Sequence, residues 1–82
     1  MTDEEILGRL TRILRDLLSD DSVVLGMDTR RDDVPGWDSF AYISFIVGVE
    51  TEFGLKFSVA EVESFQTVGA IVRRISGILL AR

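Results

Sequence analysis

The chain has no cysteine and no histidine among its 82 residues, and these two absences remove much of the chemistry open to a small protein. Without cysteine there is no disulfide, no thiolate nucleophile and no zinc site built on sulfur. Without histidine the commonest general base and the commonest neutral metal ligand are missing. Positive charge is scarce as well. Nine Lys and Arg stand against fourteen Asp and Glu, and the resulting net charge of -5 repels a phosphate backbone and points away from nucleic acid, toward basic partners. Apolar runs stay well short of the roughly 20 residues that a membrane span requires. The opening stretch, MTDEEILGRL, is acidic and amphipathic and lacks the basic start and apolar run of a signal peptide, so the expected location is the cytoplasm.

What is present is apolar residues at helical spacing. Hydrophobic residues make up 46% of the chain, enough to fold, and the length suits a single small domain over residues 1–82. Ile6, Leu7, Leu10, Ile13, Leu14, Leu17 and Leu18 fall in one arc of a helical wheel, with Thr2 and Glu5 placed as a capping box. Glu5 and Arg9 sit four apart on the opposite side, where Arg9, Arg12 and Arg15 read as a solvated face. Residues 19–37 have no sustained period and read as a long loop, pinned to the core by Val23, Val24, Leu25 and Met27. Asp28, Asp32, Asp33 and Asp38 lack the ligand spacing of a calcium loop and read as plain acidic surface. A second helix is expected over Ser39–Phe53, capped by Asp38 and ended at Gly54. A short third helix follows the capping box Ser58/Glu61, and Thr67 caps a fourth in which Val68, Ile71, Val72, Ile75, Ile78 and Leu79 share a face. No segment alternates as a strand does, so the class is an all-α bundle of four helices with a long first loop and a short third helix.

The segment VPGWDSFAY, residues 34–42, concentrates the unusual chemistry. Pro35-Gly36 suits the centre of a type II turn that aims the chain into the second helix. Trp37, the only tryptophan, either touches a ligand or partner or pins the loop to the bundle as a half-buried ring whose N–H finds an acceptor at the edge; the second reading is preferred. Ser39 is either part of an ordinary helix start or a hydroxyl presented to another enzyme. It is not a hydrolase nucleophile, because no histidine and no G-x-S-x-G elbow would take its proton. The second helix is apolar around more than half its circumference, and Ala41, Ser44, Gly48, Thr51 and Glu52 make up the rest. Gly48 inside a helix implies either a packing reason or an external contact.

The stretch GWDSFAYISFIVGVETEFGLKFSVAEVESFQTVGAIVRRI resembles the acyl carrier protein family, which includes aminoacyl and peptidyl carriers. It carries an Asp-Ser-hydrophobic signature, a helix ending in Glu-x-Glu-Phe-Gly, a short third helix and a Thr-Val opening to the fourth. The resemblance implies that Ser39 receives 4′-phosphopantetheine from coenzyme A through a magnesium-dependent phosphopantetheinyl transferase. The arm then holds an acyl or aminoacyl group as a thioester, loaded by a ligase or transferase and passed to downstream biosynthetic enzymes. By the same resemblance Asp38 caps the helix or engages the transferase. The second helix with its neighbours is the docking face, here Phe40, Ala41, Ser44, Val47, Gly48 and Thr51, with Phe57 at the border of cargo or partner. The acidic docking positions of fatty-acid-synthesis carriers fall on Ala41, Ser44 and Thr51. That departure points to a different set of partners and so to a stand-alone carrier of a specialised pathway. The resemblance itself implies a non-catalytic protein, expected to be a monomer because it visits several enzymes. A four-helix interaction module, with Ser39 only a helix cap, is the alternative.

Overall fold

A computed structural model describes residues 1–82 as four helices with no strand: α1 Asp3–Leu18, α2 Ser39–Phe53, α3 Val59–Ser64 and α4 Val68–Leu80. All four expected helices form at the expected caps. Thr2 and Glu5 exchange hydrogen bonds at the head of α1, Asp38 accepts the Ala41 N–H, Ser58 and Glu61 close a second capping box, and Thr67 accepts the Ala70 N–H. Each side chain thereby satisfies a backbone donor that a helix start leaves unpaired. No helix is long and apolar enough to cross a membrane.

The core lies where α1, α2 and α4 converge. Ile6, Leu10 and Leu14 from α1, Phe45 and Val49 from α2, and Val72 and Ile75 from α4 are completely covered. Gly48 has its reason inside the bundle, because a side chain there would press against Ile13 at 3.2 Å. Glu52, one turn further on, accepts Arg9 at 3.1 Å and lies 3.7 Å from Arg12. Arg9 therefore pairs across to α2 rather than along α1 with Glu5, whose carboxylate is taken by Thr2. The two arginines are a stitch between helices and not merely a solvated face.

The long loop is fastened by its main chain as much as by its side chains. Val23 and Leu25 are buried and Met27 is half-buried, but Val24 points outward and is 75% exposed, so three of the four expected pins hold. Burial alternates along this stretch, with Val23 and Leu25 covered and Val24 and Gly26 exposed, so the residue between two buried ones faces solvent. The first turn of α4 then recruits the loop: Val68 N–H donates to the Thr29 carbonyl at 2.8 Å and Gly69 N–H to the Met27 carbonyl at 2.7 Å. A Cβ on Gly69 would lie 2.6 Å from that carbonyl oxygen, so only glycine permits the approach. From this anchor the chain makes one 3₁₀ turn, Arg31–Asp33, not anticipated within the loop, and reaches Pro35-Gly36. Gly36 has φ +85° and Trp37 N–H bonds to the Val34 carbonyl, which closes the expected turn immediately ahead of α2.

Candidate functional site

Ser39 is the first helical residue of α2, not its cap. Asp38 performs the capping with Oδ1 at 2.8 Å from Ala41 N, and its carbonyl accepts Tyr42 N–H at 2.8 Å. The Ser39 hydroxyl consequently makes no hydrogen bond within the chain, and the residue is exposed. It projects at the positive end of a fifteen-residue helix, where an anion is favoured.

Behind Ser39 the turn is held by an aromatic stack. The Trp37 ring meets Phe45 edge-on at 5.1 Å and Tyr42 at 6.2 Å. The residue is 4% exposed, so it is buried rather than half-buried, and its N–H has no acceptor. The loop-pinning role holds. The expected acceptor at the edge is not met, because the ring is buried and packs against the apolar rings of Phe45 and Tyr42.

Beside Ser39 opens a cleft of about 430 Å³ between α2, α3, the first turn of α4 and the loop, walled by Tyr42, Ile43, Val62, Phe65 and Ile71 and rimmed by Arg30 and Arg31. The Tyr42 hydroxyl donates to the Val62 carbonyl at 2.7 Å and so ties α3 to α2. Burial pushes the Tyr42 phenol up, and the Arg31 guanidinium, 5.2 Å from its ring centroid, partly offsets this. The hydroxyl therefore stays a donor throughout the neutral range.

The remaining candidate residues divide by face. Phe40 is 83% exposed, Ile43 54% and Val47 56%; with exposed Thr51 they form an uncharged stripe along the open side of α2. Ala41 and Ser44 are partly covered, and Gly48 turns to α1, outside the stripe. Phe57 is partly buried edge-on against Phe65 at 5.3 Å, and its N–H donates to Glu50 at 2.8 Å. Both acids of α2 are thus engaged within the protein, Glu50 by Phe57 and Glu52 by Arg9. Ile43, Arg30 and Arg31 were not singled out from sequence. Ile43 was legible as the residue between Phe40 and Val47 on that stripe, whereas the arginines sit in aperiodic loop and carried no signal. The loop aspartates form no cluster arranged to hold a metal ion.

Comparison with known proteins agrees with this geometry. The family described as the phosphopantetheine attachment site matches residues 8–75. The acyl carrier protein of Thermotoga maritima is 32% identical over 69 residues, covering 84% of this chain and 85% of that protein. The solution structure of a holo acyl carrier protein from Geobacter metallireducens superposes with a TM-score of 0.83 at 32% identity, covering 92% of this chain and 86% of that one. The prosthetic group of the family is 4′-phosphopantetheine. An exposed serine hydroxyl, free of internal hydrogen bonds and opening beside a cleft, fits its attachment. Four helices in this arrangement, matched in sequence over most of their length, leave one conclusion: the chain belongs to the acyl carrier protein family, whose members carry cargo rather than catalyse.

Proposed function

We propose that Ser39 is the attachment residue and that the chain is a stand-alone carrier of a specialised pathway. The observation that carries the first part is the division of labour at the head of α2. Asp38 caps and Ser39 does not, so the hydroxyl is spare. This also disfavours the interaction-module alternative, in which Ser39 would serve as the cap.

In the transfer step Ser39 Oγ loses its proton to a base of the transferase, since this chain offers no histidine, and bonds to the phosphorus nearest pantetheine in coenzyme A as the nucleotide portion leaves. The helix N-terminus favours the phosphate that results. Once attached, the arm supplies a terminal thiol that holds the cargo as a thioester, which suits a chain with no sulfhydryl of its own.

The pathway reading rests on the open face of α2. Phe40, Ile43, Val47 and Thr51 carry no charge there, and both glutamates of the helix are occupied inside the molecule. Charge steering toward a basic docking patch is therefore weak, and apolar contact takes its place. The partners proposed are a phosphopantetheinyl transferase, a loading ligase or acyltransferase, and downstream enzymes that present an apolar docking surface. Phe40, Val47 and Thr51 are the proposed contacts, flanked by Ala41, Ser44 and Phe57.

Intact mass tests the attachment. Wild type incubated with coenzyme A, magnesium and a broad-specificity transferase gains one phosphopantetheinyl unit, and Ser39→Ala gains none. No gain in folded wild type, with a known carrier modified alongside, refutes the attachment. The pathway reading is refuted if a fatty-acid ketosynthase or malonyl transferase accepts the loaded protein as efficiently as it accepts the carrier of fatty-acid synthesis.

A further inference from the structure

Arg30 and Arg31 stand out among the cations of this chain because they share a cleft with Ser39 and lack an ionic partner. Arg9, Arg12 and Arg74 each lie within 4 Å of a carboxylate, whereas neither loop arginine does. Their position is fixed by the backbone. The Thr29 carbonyl is held by Val68 N–H, and the Arg30 N–H donates to Asp33 Oδ2 at 2.9 Å, so both residues are carried on an anchored turn at the rim. The Arg31 guanidinium rests over the Tyr42 ring at 5.2 Å, which orients a planar fork beside the cleft without consuming its hydrogen bonds.

We propose that this arginine pair is an anion site for the group delivered by the Ser39-linked arm; the inference rests on Ser39 being the attachment residue. Two sources share the required chemistry, the phosphodiester at the root of the arm and a carboxylate at the far end of a dicarboxylic cargo, and guanidinium binds either through paired N–H donors. The cleft is not a site for free anions, because Asp32 and Glu63 also line it. Tethering resolves the opposition. A covalently held anion works at an effective concentration of about the millimolar range, so modest attraction suffices to localise it. Asp33 and Asp38, neighbours in sequence of Asp32 and Ser39, each turn one oxygen to a backbone N–H.

The test compares the full-length chain in apo form, in holo form verified by mass, and loaded with an acetyl or a succinyl group, each in wild type and in Arg30→Gln/Arg31→Gln. The readouts are the Nε–H resonances of the two arginines and the melting temperature at low and at about 1 M salt, where the screening length is about 3 Å. Conversion from apo to holo is expected to move both resonances and to raise the melting temperature by about 2–6 °C at low salt, with the gain lost at high salt and in the double variant. A gain that arises with succinyl but not with acetyl or the bare arm assigns the site to the carboxylate. Because each variant is compared with its own apo form, a general loss of stability does not mimic the effect. Unmoved resonances in every loaded form, or an equal gain in the double variant, overturns the proposal while leaving Ser39 attachment intact. Millimolar inorganic phosphate moving the apo resonances as far as the arm does overturns the role of the tether. Failure to gain mass removes the attachment reading itself, and the anion site with it.

Discussion

α1 and α3 begin with the same device and end with different fates. Each opens on a reciprocal capping box, Thr2 with Glu5 and Ser58 with Glu61, at nearly identical distances. Yet α1 runs sixteen residues and seals Ile6, Leu10 and Leu14 completely, whereas α3 runs six and buries none of its residues. What holds α3 is the Tyr42 hydroxyl on the Val62 carbonyl, the Glu61–Arg74 ion pair and partial cover of Val62. A cap decides where a helix starts; burial decides whether it survives alone, since a helix this short is marginal in water. The weakly held element forms one wall of the cleft beside Ser39.

The contrast can be broken from either side. Leu14→Ala, in the sealed face of α1, should cost about 2–5 kcal/mol and lower the urea midpoint of the whole domain, while Val62→Ala in α3 should cost well under half as much. Equal losses would show that α3 belongs to the same cooperative core. Gly69→Ala forces a side chain against the Met27 carbonyl and should cost about 1–3 kcal/mol, with amide shifts spreading through residues 26–31. Tyr42→Phe strips the donor from the Val62 carbonyl. A loss of about 0.5–1.5 kcal/mol is expected, read as faster hydrogen exchange in α3 with α1 unchanged.

The smallest effect is a matter of pH. Glu5 and Glu61 both sit below the ordinary glutamate value of 4.5, Glu5 because of the Thr2 N–H and Glu61 because of the Ser58 N–H, with Arg74 second. A carboxyl lowered by folding stabilises the folded state above 4.5, and that contribution fades as pH falls through the lowered value. Both caps weaken over this acid range, but in α3 protonation of Glu61 also removes the ion pair with Arg74, and no fully buried residue holds the helix in its place. Amide exchange on titration below pH 4.5 should therefore lose protection in α3 first; simultaneous loss in α1 and α3 would contradict the comparison.

Helix boundaries were legible because caps are local: Thr2, Asp38, Ser58 and Thr67 each act within three residues of chain, a distance that sequence spacing reads directly. Ser39 was legible as a candidate for the same reason. Which faces turn outward was harder. Ala41, Ser44, Gly48 and Thr51 look alike on a wheel, yet Gly48 meets Ile13 and Thr51 meets solvent, a division set by where α1 lies. The arginine rim was invisible. Arg30 and Arg31 sit on a loop fixed by the Val68 N–H on the Thr29 carbonyl and the Gly69 N–H on the Met27 carbonyl, bonds that span about forty residues of chain, and no periodicity encodes such contacts.

Trp37 also makes the molecule self-reporting. It is the only indole in the chain, sealed against Phe45 two residues ahead of Ser39, and its N–H donates to nothing. A buried indole emits at shorter wavelength than one in water, so any movement of this turn that exposes the ring should shift the emission to longer wavelength. With Ser39 as the proposed attachment residue, loading, docking and release can then be followed in real time on the unlabelled chain, through a single signal from the turn beside it.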